Sequence, residues 1–445
     1  MRSDFKTTKT KQQKQNSMRT IAILVITSLL MIGCNSKTGK ITAQNDYEKY
    51  LEIKDHKSRD FTQKEIDFWQ KKYDAAPNQI SYLSMLATNY SKLFEYTGDV
   101  KNLYKAEELL LKSNETYKYT SVGTIRSLAR NYISQHRFRE ALVLANKALV
   151  IGEGMKETQK LLFDINMELG NYAEAETNLK TLTDNNDFDY LIRISKWNDH
   201  LGDLKTAISF IEKAKEIAIK NDNKALKIWT FSNLGDLYGH AGNIQKSYEY
   251  YLKTLEVEPG YSYALKGIAW IAFSHEKDTK EATRIIDIIS KSHNTPDFYL
   301  LKAQIAEYEN NSNLKVENLT AYFKMLDTIN YGAMYNKYNT LLYADNKSTA
   351  SLALEIAKVE ITHRPTPDSY DLLAWSYYNM GDSKKALEIA QKYVVGKSFE
   401  PKLNYHLAII YKANKMDYKI APIKKELLTS TFELGPNMEK KIISL

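Results

Sequence analysis

Residues 231–259 read FSNLGDLYGHAGNIQKSYEYYLKTLEVEP, and this stretch decides the fold. It holds an apolar-periodic helix, a turn at Gly242-Asn243, a second helix and a closing Pro259, which together make one helical hairpin. Taking Gly235 as the tight-packing position of the first helix, equivalent small or apolar residues fall at Ala87, Ala129, Phe163, Ser195, Ala269, Ala303, Leu341, Ala374 and Ala408. The intervals in chain order are 42, 34, 32, 40, 34, 34, 38, 33 and 34 residues, a 34-residue period with loop insertions. A tyrosine often follows three residues later, at Tyr90, Tyr132, Tyr238, Tyr377 and Tyr411.

The turns keep the same time. Gly98-Asp99, Gly170-Asn171, Gly202-Asp203, Gly242-Asn243 and Gly381-Asp382 place a left-handed C-cap before a residue able to cap the next helix. Four of the five carry a small residue five positions on, at Ala175, Ala207, Ser247 and Ala386, which lets the two helices of a hairpin approach closely. Six of the eight prolines (Pro77, Pro259, Pro296, Pro365, Pro367, Pro401) stand at junctions between hairpins.

These landmarks resemble the tetratricopeptide repeat family. The resemblance implies an all-α solenoid, a right-handed superhelix of about ten helical hairpins, over residues 80–429. Phe231–Pro259, Tyr370–Tyr393 and Ile125–Ala148 are the best copies. Residues 296–330 are the weakest, because Asn310-Asn311-Ser312-Asn313 replaces the glycine turn, and an irregular hairpin is expected there. Residues 62–79 read as an N-terminal capping helix ended by Pro77, residues 34–61 as a polar tether, and residues 430–445 as a C-terminal tail.

Ahead of the tether, a basic lead precedes the apolar run IAILVITSLLMIG (Ile21 to Gly33) and the single cysteine, Cys34. Thirteen helical residues rise about 20 Å, short of the roughly 30 Å hydrocarbon core, so a spanning anchor is not expected. Met31-Ile32-Gly33-Cys34 resembles the lipobox of bacterial lipoproteins. That resemblance implies residues 1–33 as a signal peptide, a lipid on Cys34, and attachment to the cell envelope, at the outer membrane on its periplasmic or surface face. Met18-Arg19-Thr20 reads as an alternative start to Met1. The net charge of +8 falls to +3 once the six Lys/Arg and one Asp of residues 1–33 are set aside, which argues against nucleic-acid binding.

In the tetratricopeptide repeat family the concave face is lined by first-helix positions near the marker. Here the early positions give Arg126, Arg130, Lys160 and Lys196, with Arg193 beside them. The later ones give Lys266, Trp270, Phe273, Tyr338, Trp375, Tyr378, Tyr405 and Lys412. A groove cationic at its start and aromatic further on suits an extended peptide with an acidic end, and a protein or peptide is the expected partner. The clamp of chaperone-binding members pairs Lys with Asn, where this chain has two arginines. The groove positions of residues 231–259 itself, Ser232, Asp236 and Gly239, are small or acidic, so recognition is expected on either side of that repeat. Glycan binding at Trp270 and Trp375, resembling SusD-type lipoproteins, and a role resembling the short lipoproteins of outer-membrane protein assembly are the alternative readings.

His136, His200, His240 and His275 fall near the ends of first helices, where the helix dipole favours a positive imidazole, too far apart to share a metal. No HExxH, CxxC, GxSxG or phosphate-loop pattern occurs. The sequence therefore reads as non-catalytic, without cofactor or metal.

Overall fold

A computed structural model describes residues 39–53 and 56–445. The expected signal segment, Met18, Cys34 and the first part of the expected tether lie outside the described residues. The described residues form twenty-four α-helices and no strand. Two helices lead, α1 (Gln44–Leu51) and α2 (Lys57–Ala75). Ten hairpins follow: α3/α4 (Ser81–Thr97, Lys101–Thr116), α5/α6 (Val122–Ser134, Phe138–Ile151), α7/α8 (Met155–Glu168, Tyr172–Thr181), α9/α10 (Phe188–His200, Leu204–Lys220) and α11/α12 (Lys224–His240, Ile244–Val257) make the first five. The second five are α13/α14 (Ser262–Trp270, Thr279–Ile289), α15/α16 (Pro296–Tyr308, Ser312–Thr328), α17/α18 (Asn336–Ala344, Ala350–His363), α19/α20 (Pro367–Asn379, Ser383–Tyr393) and α21/α22 (Pro401–Ala413, Ile420–Thr429). Two short helices end the chain, α23 (Thr431–Leu434) and α24 (Pro436–Ile443).

The hairpin turns follow from local chemistry. All five glycines of the Gly-Asp/Asn turns adopt positive φ, and Asp203, Asn243 and Asp382 accept the backbone N–H three residues on, each cap contributing about 1 kcal/mol. Four other hairpins place a residue with a side chain in the same left-handed position: His136, Lys277, Asn310 and Lys415. The hairpin over 296–330 is therefore regular. Asn310 takes φ 58° in place of glycine and Asn311 caps α16 by accepting from Leu314 N–H, so the Asn-Asn pair performs the work of Gly-Asp. The irregular hairpin is the sixth, where α13 runs into a π-turn over Ile271–His275. Ala175, Ala207, Ser247 and Ala386 are all buried at the crossings of their hairpins.

The described residues do not share one single core. Buried apolar clusters pass from hairpin to hairpin, one from Ile66 to Leu169, another from Ile244 to Ile305, a third from Ala374 to Ile420. The solenoid also touches itself. Gly98, at the first hairpin turn, lies against His293 and Thr295, and His293 Nδ1 meets Tyr96 O 197 residues away. Further along, Arg139 donates to Thr362 O, Gly170 faces the Pro365 carbonyl, Gly202 faces the Phe399 ring and Gly239 faces Phe432. The turns of hairpins one, three and four thus meet the loops that follow hairpins six, eight and nine, so the solenoid packs upon itself.

The two ends differ from the sequence reading. Residues 41–51 are not a loose tether: Ile41 and Thr42 N–H donate to Glu276 Oε1 at 2.8 and 2.6 Å, Tyr47 is fully buried with its hydroxyl on Glu281 Oε1 at 2.6 Å, and Glu48 accepts a two-pronged bond from Arg284. The helix expected over 62–79 spans 57–75 instead. Residues 430–445 are not a free tail either, since α23 and α24 fold back onto the middle hairpins. No helix among the described residues is long and apolar enough to cross a membrane.

Candidate functional site: the inner face of the solenoid

The expected groove positions stand on first helices, and the early ones are cationic, but most of those charges are already satisfied. Lys160 is buried, with Nζ 2.9 Å from Glu157 Oε1 and 2.6 Å from Asp189 Oδ2. Arg193 bonds Asp164 Oδ2 at 2.6 Å and the Lys160 and Asp189 carbonyls, and Lys196 reaches Glu168 Oε1 at 2.9 Å. Arg126 donates to the carbonyls of Glu153 and Gly154 and to Thr158 Oγ1, which ties the loop between the second and third hairpins.

Arg130 differs from them. Its guanidinium has no hydrogen-bonded or ion-paired partner among the described residues. Its side chain reaches solvent, yet surrounding protein desolvates it, and this together with Arg126 and Arg193 holds its pKa below the usual guanidinium range, with Glu157 and Asp164 opposing. Of these five cations, Arg130 alone has no hydrogen-bond acceptor among the described residues, while Arg126 bonds only neutral oxygens.

The later part of the face gathers Lys266, Trp270 and Tyr338 around one open cavity of about 270 Å³, with Tyr251, Tyr263, Asp297 and Gln304. Lys266 Nζ stands 3.5 Å from Asp297 Oδ2, and Asp297 Oδ1 also accepts from Tyr335 at 2.8 Å. Asp236 accepts from Tyr251 at 2.6 Å and Tyr263 at 2.7 Å; burial still pushes its carboxyl above the usual range, the two donors opposing. Beyond Tyr338 a second cavity, of about 200 Å³, is closed on one side by residues 434–438 and Lys441.

Three expected groove aromatics lie elsewhere. Trp375 is only 9% exposed, stacked on His406 at 4.0 Å and on Tyr378 at 5.1 Å, and His406 in turn bonds Asp371 at 2.7 Å inside the core. Tyr405 packs against the cluster of Leu427, Met438 and Ile442. Phe273 is buried, and Lys412 holds the carbonyls of Ser444 and Leu445. Trp375, Tyr405 and Lys412 pack the last hairpins together rather than line a groove, whereas the buried Phe273 ring lies in the sixth hairpin at the wall of the 200 Å³ cavity.

The histidines also depart from expectation. Burial lowers the pKa of His136, His200 and His275, so the neutral imidazole is favoured over the dipole-stabilised cation. His200 stacks on Tyr172 at 4.0 Å between ring centres, a packing role. No group of metal-binding side chains assembles among the described residues.

Residues the sequence reading passed over include Tyr263, Gln304 and Phe432. Gly239 held the available signal: a groove position without a side chain is a position against which something else can lie, and Phe432 lies there, 2.8 Å from where a Cβ would stand.

Residues 230–261 match the family model of the tetratricopeptide repeat. No curated protein matches the chain in sequence. Among solved structures it is similar to Pseudomonas aeruginosa pilF, at 15% identity over 47% of this chain and 92% of that one, with a TM-score of 0.35. It is also similar to YrrB, described as a TPR protein with an unusual peptide-binding site, at 18% identity over 44% and 95% of the two chains, with a TM-score of 0.26. A human IFIT1 dimer with PPP-AAAA shares 13% identity over 74% and 77%, with a TM-score of 0.44. The chain thus holds one matched tetratricopeptide repeat, at 230–261, and folds as an all-α solenoid of ten two-helix units.

Proposed function

We propose that this chain is a lipid-anchored scaffold of the bacterial cell envelope that holds a protein or peptide partner against the inner face of its solenoid, without catalysis, metal or cofactor. The observation that carries the binding reading is Arg130. A carboxylate brought against it gains a charge-assisted bond to a guanidinium that no acceptor yet holds, whereas neighbouring Lys160, Arg193 and Lys196 have their carboxylates in place. Tetratricopeptide repeat proteins bind peptide or protein partners, which supports the same reading. Anchoring rests on the Met31-Ile32-Gly33-Cys34 motif, with the lipid on Cys34 and the outer membrane as the site of attachment.

Arg130→Ala should weaken capture of the partner from membranes by roughly tenfold to a hundredfold, an effect that shrinks as salt rises. Capture unchanged by the substitution refutes groove binding through this residue. Arg126→Ala is the poorer test, because Arg126 also holds the 153–154 loop. Mass spectrometry of the mature N-terminus tests the anchor separately: a lipid-modified Cys34 is expected, and an intact Gly33–Cys34 bond overturns it. Sugar stacking on Trp375 has little to support it, since that ring is covered by His406 and Tyr378.

A further inference from the structure

The aromatic half of the inner face already holds a peptide, the chain's own C-terminus. The Phe432 carbonyl accepts from Trp270 Nε1 at 3.2 Å and from Ser274 Oγ at 2.6 Å. Its ring lies on Gly239, and Gly435 presses on the Trp270 ring, 3.0 Å from where its Cβ would stand. Asn437 Nδ2 then donates to the Gln304 carbonyl at 2.8 Å, and residues 434–438 close the 200 Å³ cavity over the first helices of hairpins six to eight.

The attachment is slight. None of the four residues of α23 is buried, and Gly435 joins α23 to α24 at φ 82°, ψ 162°, backbone open to little else than glycine. Glu433 lines one cavity with two other carboxylates, Asp199 and Glu400, and with His240. Behind α23, Met438 and Ile442 of α24 are buried against Leu427, so the segment has a firm heel and a loose toe.

We propose that residues 431–437 are an exchangeable occupant of the groove, and that the partner is a peptide of the same chemistry: an aromatic side chain seated on Gly239 with its carbonyl received by Trp270 and Ser274. This deepens the scaffold reading and rests on it. The chain's own segment then competes with the partner, and apparent affinity falls by the fraction of molecules in which the segment is seated.

The test uses the full mature chain and a fluorescent synthetic peptide of residues 429–438, TSTFELGPNM. Phe432→Ala in the protein loosens the resident segment and should tighten peptide binding by about tenfold over wild type. The same Phe-to-Ala change in the peptide should abolish the gain. Ser274→Ala added to the Phe432→Ala chain should weaken the peptide again, with an unchanged circular dichroism spectrum excluding misfolding. Equal binding by wild type and Phe432→Ala, or no binding by either, overturns the inference. Loss of capture in Arg130→Ala alongside equal peptide binding would sink this proposal while leaving groove binding standing; unaffected capture with the expected peptide gain would do the reverse.

Discussion

At position 406 an imidazole is fully enclosed, bonded through Nδ1 to Asp371 Oδ2 at 2.7 Å and stacked on Trp375. Burial raises the Asp371 pKa and lowers that of His406, both directions favouring neutral groups that hold one proton between them. Removing one partner leaves the other buried and unsatisfied, so His406→Ala should cost about 3–5 kcal/mol, read as a lower denaturation midpoint. Replacing both with leucine should cost less than the single change. Tyr251 offers a second residue-level prediction. Its ring lies between two glycines, with a Cβ on Gly235 falling 2.6 Å and one on Gly267 2.4 Å from ring atoms, and its hydroxyl is held by Asp236. The ring cannot swing aside without breaking that bond, so Gly235→Ala and Gly267→Ala should each lower stability by about 1–3 kcal/mol. Gly235 was legible in the sequence as a packing position; its partner was not, because nothing in a single hairpin's pattern says that a tyrosine of the second helix will bridge to Gly267 of the next repeat.

Elements were the most legible level, because a hairpin's landmarks are local. Glycine turns, small crossing residues and Asp/Asn caps all depend on residues within a few positions of one another, and they marked real turns. The reading failed where another residue did glycine's work, as at Asn310, and where burial overrode the helix dipole, as at His136 and His200. Lys415 shows the same substitution in an exposed turn, at φ 60°. Lys415→Gly should relieve the left-handed strain and, after glycine's own entropy is counted, stabilise the last hairpin by about 0.5–1 kcal/mol, measured as a raised melting temperature. For α23 the decisive group is Glu433, whose pKa is raised by burial and by Asp199, with His240 and Lys337 opposing. A carboxyl with a raised folded pKa disfavours the seated form once ionised, so attachment is fullest at low pH and is lost as pH rises through that pKa. Amide exchange over 431–438, corrected for intrinsic rate, should be more protected at acidic than at neutral pH. Glu433→Gln should remove that difference and retain the protection at neutral pH.

For the whole molecule, the contacts that close the superhelix were invisible in the repeat pattern, since they join residues about two hundred positions apart that belong to no common hairpin. The groove suffered for it: Trp375 and Tyr405 occupy groove-type positions in their repeats but are covered once the last hairpins and α24 pack together. One such closure is the Arg364 guanidinium on Glu168, at 2.6 Å, with Lys196 on the other carboxylate oxygen. Burial alone would raise the Glu168 pKa, but Lys196 and Arg364 outweigh it and hold it low. Stability from this contact is thus present above the ordinary carboxylate pKa and lost as pH falls through the depressed one. Glu168→Gln should mimic that loss at neutral pH, costing about 1–2 kcal/mol for a pair only partly shielded from water, and small-angle scattering should report a larger radius of gyration. The docking of Ile41 and Thr42 on Glu276 has a consequence of a different kind. From Cys34 to Ile41 is seven residues, a leash of at most about 25 Å when fully extended. Were Cys34 lipidated as proposed, the docking would tie the lipid to the sixth hairpin, near the middle of the repeat array, and not to the first repeat.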